Sequence, residues 1–158
     1  MKQNVQKIDI AIEQLDDALK AYFDGRYHSA TVLAGASEQL LAGYVMKHNL
    51  TPAWKQARTS ITKIANGLRS LQKMDPTPTT EKDIGVLLNY AHNHSKHAGK
   101  DEHTIWFDPR FEAQQIIDRA IANFDALFVL SDYRDLPELP LAQRFVLKSA
   151  EEAGLEPE

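Results

Sequence analysis

Apolar residues recur three or four positions apart along almost the whole chain, and no stretch alternates apolar with polar as a strand does. Ile8, Ile12, Leu15, Leu19 and Tyr22 make one face of a first helix, which Gly25 in "DGR" stops. A second helix, about 27 to 48, carries Ala30, Leu33, Ala34, Ser37, Leu40, Leu41 and Tyr44, with small residues that let a neighbouring backbone come close. Thr51-Pro52 reads as an N-cap followed by proline at the first helical position. The third helix it opens is expected to turn Trp54, Ile61, Ile64, Leu68 and Leu71 inward. "DPTPTT" at 75 to 80 is the clearest loop, and Thr80 with Asp83 three positions on resembles a capping box. A fourth helix is expected from about 81 to 98, ending at Gly99. Asp108-Pro109 opens a fifth with Phe111, Ile116, Ile117, Ala120, Ile121, Phe124 and Leu127 as its stripe. A short last helix, about 139 to 152, precedes a polar tail.

These elements predict an all-α fold, a single up-and-down bundle of four to five main helices plus a short C-terminal helix. One domain is expected over 1–158, with its core in about 8–130 and a C-terminal extension at 131–158. Hydrophobic residues at 43% supply a sizeable core. The chain has no cysteine, which excludes disulfides, zinc–thiolate sites and thiol nucleophiles. The start "MKQNVQKIDIAIEQ" has no apolar core of a signal peptide, and no apolar run reaches the length that crosses a bilayer. A cytoplasmic location away from membranes is therefore expected.

A net charge of −4 argues against a bulk nucleic-acid binder, but the charge is unevenly spread. From Gln39 to Met74 there is no Asp or Glu, while Lys47, Lys55, Arg58, Lys63, Arg69 and Lys73 are all basic. Lys55, Arg58, Arg69 and Lys73 fall on one stripe of the third helix. Such a stripe commonly marks a solvated face; it also suits an RNA backbone or an acidic partner. Tyr90, Trp106, Phe107 and Tyr133 are either core aromatics or stacking groups. Adjacent carboxylates at Asp16 and Asp17, and at Glu151 and Glu152, point in different directions on a helix and make no acid–base pair. Ser37 and Ser95 lack a nucleophile elbow. No glycine-rich loop cradles a phosphate, which excludes ATPases and dinucleotide enzymes.

Chemistry concentrates in "AHNHSKHAGKDEH", residues 91 to 103, which holds four of the six histidines. On a continuous helix Ile84, Leu87, Leu88, Ala91 and Ala98 would face the core, and Val86, Tyr90, Asn93 and His97 would share one flank. His94 would lie between that flank and the core, and His92 on the opposite flank. Helical ligands of one metal sit three or four apart, a test that only His94 and His97 meet, with Asp101, Glu102 and His103 as loop candidates. No metal site and no cofactor is expected. Histidines near a helix C-terminus are also stabilised there by the helix dipole, with no further role.

Within this segment "HNHSKHAG" resembles the motif helix of the HEPN superfamily (the higher eukaryotes and prokaryotes nucleotide-binding domains), whose bacterial members read close to RNxxKH. Asn93, Lys96 and His97 match that form, and His92 stands where the family has arginine. "AYFDGRYHSATVLAGASEQLLAGY" and "DPRFEAQQIIDRAIANF" resemble the second-helix entry and the helix after the motif. The resemblance covers roughly 8 to 130 and implies a helical bundle. Its active members resemble metal-independent endoribonucleases that work as homodimers, with two motif helices lining one cleft.

By that resemblance His97 would be the acid or base, Asn93 the positioning group and His92 a substitute phosphate contact. Tyr90, Lys96, Lys55 and Arg58 would bind the RNA substrate. Imidazole lacks the permanent charge and bidentate fork of arginine, so activity would turn on His92, and His92→Arg is expected to preserve or improve it. The alternative that the resemblance implies is a non-catalytic interaction domain, such as the partner of a nucleotidyltransferase in a toxin–antitoxin pair.

Overall fold

The computed structural model describes residues 4–72, 77–96 and 106–154, and for Ser95 and Lys96 the backbone alone. Its helices are α1 (Lys7–Phe23), α2 (Tyr27–Lys47), α3 (Ala53–Leu71), α4 (Glu81–Leu88), α5 (Tyr90–Lys96), α6 (Pro109–Phe128) and α7 (Pro140–Glu152), with one turn of 3-10 helix at Ser131–Tyr133. No strand occurs among the described residues. The fold is an all-α bundle, as the periodicity predicts.

Helices α1, α2 and α6 form the centre. Ile8, Ile12, Leu15 and Leu19 of α1 pack against Ala30, Ala34, Leu41 and Val45 of α2, and against Ile116, Ile117, Ala120 and Leu127 of α6. Alanines on facing helices permit close approach, and Ser37 uses it by donating to the Ala11 carbonyl at 2.7 Å. Phe145 of α7 completes the core, its ring edge-on to Tyr22 at 5.0 Å. Gly25 takes a φ of +75° in the α1–α2 turn, a conformation that costs a glycine nothing.

Local rules fix the helix starts. Asp108 accepts from the N–H groups of Arg110 and Phe111, with proline in the first turn of α6. Thr80 and Asp83 form the reciprocal capping box at α4.

Three expectations are corrected. Helix α3 starts one residue later than Thr51-Pro52 suggests: Pro52 is its N-cap and supplies no side-chain bond. None of its residues is fully buried, and Ile64, Leu68 and Leu71, expected inside, face solvent. A face that periodicity marks as apolar is covered only where a partner lies over it, and among the described helices α3 meets chiefly α4 and α6. The single helix expected from 81 to 98 is two, separated at Asn89. The Asn89 side chain donates to the Gly85 carbonyl at 3.0 Å, a local bond of the kind that competes with the helical ladder. The proposed stop at Gly99 lies outside the described residues.

Candidate functional site

Below Asn89 the chain re-enters a helix whose buried side is Ala91 and His92. This reverses two directions expected from a continuous wheel. His92 is 2% exposed and packs onto α2, whereas His94 is exposed. Leu87, expected in the core, is 65% exposed. His94 lies with its ring 4.2 Å from that of Tyr90 and its Nδ1 2.8 Å from the Tyr90 carbonyl oxygen. Asn93 faces outward.

Asn93 opens into a cavity of about 410 Å³ that also takes in Trp54 and Arg58 of α3, Glu81, Lys82 and Asn89 of the α4 segment, and Arg119 of α6. The α3 wall is set by a side chain from the core. Asn123 of α6, buried, accepts from the Ala53 N–H at 2.8 Å and so caps α3 in place of a residue on its own segment. One turn on, the Arg58 guanidinium lies 4.8 Å from the Trp54 ring centre, a cation–π arrangement. Its Nε is 3.2 Å from Glu81 Oε2, and Thr59 donates to the other oxygen of that carboxylate at 3.0 Å.

The floor is a buried ion pair. Arg119 Nε donates to Glu38 Oε1 at 2.6 Å and its Nη2 to Oε2 at 3.3 Å, both residues being almost fully enclosed. Charges this far from water persist only when paired and hydrogen-bonded, and the forked geometry meets that need. The cavity therefore combines three cations (Arg58, Lys82 and Arg119) with the carboxylate of Glu81, an exposed amide and an indole, while Glu38 lies behind Arg119. That set can hold an anion and stack a flat ring. Among the described residues the cavity lining includes no Ser, Thr, Cys, Tyr or His.

Two residues selected from sequence on separate grounds, Asn93 and Arg58, come together here. Lys55 is exposed and Tyr90 half-buried, and neither lines the cavity. His92 is inside the bundle. The Lys96 side chain, His97, Asp101, Glu102, His103 and Lys73 lie outside the described residues. Among the described residues no group of three or more metal-ligating side chains converges, and no helix is long and apolar enough to cross a membrane. Tyr133 meets His48, its hydroxyl 3.0 Å from Nε2, and neither lines the cavity.

Sequence reading did not single out Lys82 or the Glu38–Arg119 pair, and it assigned Trp54 to the core. A signal for the pair existed: Glu38 is the one acid among the twenty-one residues of α2, set beside apolar positions, and Arg119 interrupts the apolar run of α6. Comparison of the chain with models of protein families, with curated proteins and with solved structures gives no match.

Proposed function

We propose that the chain is a HEPN-like RNA-associated protein whose Asn93 cavity receives a nucleotide of single-stranded RNA. The observation that carries this reading is that Asn93, from the motif-like segment, and Arg58, from the basic helix, line one cavity with Trp54. In it the Arg58 guanidinium and the Lys82 ammonium meet phosphate oxygens, the indole stacks on a base and the Asn93 amide fixes the ribose-phosphate. The phosphate contact that the family resemblance gives to residue 92 passes to Arg58 and Lys82, because His92 is enclosed against α2.

The catalytic form of this reading is a metal-independent endoribonuclease working as a homodimer. His97 takes the 2′-hydroxyl proton or protonates the leaving oxygen, and Asn93 positions the phosphate between them. Burial of His92 favours a second reading, a non-catalytic interaction domain of the same fold, because it removes one of the three motif groups from the substrate.

A fluorescently labelled RNA oligomer, titrated with the protein in chelator, tests both. Binding that Asn93→Ala and Arg58→Ala each weaken about tenfold supports the cavity. Cleavage abolished by His97→Ala selects the enzyme, and binding without cleavage selects the interaction domain. No binding by the native chain overturns the RNA reading.

A further inference from the structure

Two apolar surfaces of opposite electrostatic character lie uncovered on this molecule. The first is the outer face of α3, where Ile64, Leu68 and Leu71 recur at i, i+4 and i+7 and are 61%, 52% and 81% exposed. The helix has four basic residues and no acidic one, and Lys63 stands exposed beside this stripe. The second is a groove of about 460 Å³ between α6 and α7, walled by Phe124, Phe128, Val146 and Leu147. Among the described residues its lining includes the carboxylates of Asp125 and Glu138 and no cation. The cations of α7 are engaged outside it: the Arg144 guanidinium lies 4.3 Å from the centre of the Phe23 ring and the Lys148 ammonium 5.8 Å.

The dimensions agree as well as the charges. From Ile64 to Leu71 the stripe rises about 10 Å, at 1.5 Å per residue, and the α6 wall from Ile121 to Phe128 rises by the same amount. Each surface rejects a copy of itself, since two α3 faces would oppose cation to cation and two grooves carboxylate to carboxylate. Each suits the other.

We propose that the α3 face of one copy docks into the α6–α7 groove of a second copy, with Leu68 seated among Phe128, Val146 and Leu147 and Lys63 against the acidic rim. The contact joins two different patches, so every docked copy still presents a free face and assembly grows with concentration instead of closing on a pair. One helix in one groove is a small interface, so association is weak and salt-sensitive.

Sedimentation velocity of the full chain, from micromolar to near-millimolar concentration at low salt, tests this. The weight-average mass is expected to climb with concentration beyond that of a pair of 17.8 kDa chains. Leu68→Asp and Leu147→Asp, both at exposed positions, each abolish the climb while melting as the native chain does. Their equimolar mixture restores association, because one variant keeps its groove and the other its α3 face. Lys63→Glu weakens the climb, and adding Glu138→Lys to the same chain recovers it. A native mass independent of concentration, a climb that survives in either aspartate variant alone, or a mixture that stays unassociated overturns the proposal.

Discussion

The imidazole of His92 fills the space in which a side chain at position 35 would begin: a Cβ built on Gly35 would lie 2.0 Å from His92 Cε1 and 2.1 Å from Nδ1. Gly35 is thus required by the ring that covers it. Gly35→Ala is expected to destabilise by at least about 1–3 kcal/mol, the usual cost of overpacking a core. In Gly35→Ala with His92→Ala the clash is gone, and the double variant is more stable than the sum of the single effects. Chemical denaturation of the four chains measures that coupling. An additive result would mean the ring does not press on α2.

The same contact changes the expectation for His92→Arg. A longer, permanently charged side chain cannot enter a site that is 2% exposed without leaving its charge unsolvated or opening the α2–α5 contact. Loss of the cooperative melting transition is expected, not a gain in RNA cleavage. A variant that melts like the native protein would show that residue 92 can turn outward.

Glu38 and Arg119 form the buried pair beneath the cavity. Removing one partner, as in Glu38→Ala, is expected to cost about 3–5 kcal/mol because a buried guanidinium is left uncompensated. Replacing both, Glu38→Leu with Arg119→Met, restores most of that loss. RNA affinity then separates structure from function: it falls in the refolded double variant if the Arg119 charge contributes to the cavity's field, and is retained if the pair serves packing alone.

Asn123 holds α3 to α6 through a single bond to the Ala53 N–H. Asn123→Ala removes this cap at a cost of about 1 kcal/mol, with more for the buried carbonyl partner it also approaches at residue 38. Amide exchange is expected to speed up in the first turn of α3 while α1, α2 and α6 stay protected. Uniform acceleration across all helices would refute a local role.

Burial pushes the Asp118 carboxyl up to about 6, against the pull of Arg119. The folded chain therefore binds this proton more tightly than the unfolded chain does. Stability is highest below pH 4 as far as this group is concerned, and falls as pH rises from about 4 to 6. Asp118 is an exposed residue, so the fall is much smaller than full burial would give. Asp118→Asn should flatten the dependence of melting temperature on pH in that window and raise stability at pH 7. An unchanged profile would assign the pH dependence elsewhere.

Helices α1, α2 and α6 were legible because their apolar stripes run unbroken and their ends carry residue-specific signals such as Asp108-Pro109. Periodicity gives the direction of a face and says nothing of whether anything covers it, which is why Leu68 and Leu71 read as core and lie outside. The interruption at Asn89 had no glycine or proline to mark it. The buried face runs through Ile84, Ala91 and His92, with Leu87 outside, so the core side lies to the His92 flank of the one that the apolar pattern suggests. Of the site, Asn93 is named through the family resemblance of its segment and Arg58 from the basic stripe of α3. Their shared cavity could not be named that way, because it depends on how α3 is anchored by Asn123, more than fifty positions further along the chain.

Helix α3 is held to α6 at its first residue through Asn123 and otherwise to the α4 segment, where Arg58 and Thr59 meet Glu81 and Asn66 meets Thr79, and this gives the molecule two levels of stability. No residue of α3 is fully enclosed, so α3 with its α4 contacts is expected to open at a lower free energy than the α1–α2–α6 core. Trp54 and Arg58 travel with it, whereas Arg119 stays behind. The cavity is therefore a seam between a part that opens readily and a part that opens only on global unfolding. Widening it draws on the first of these free energies, and the body of the protein remains folded while it opens.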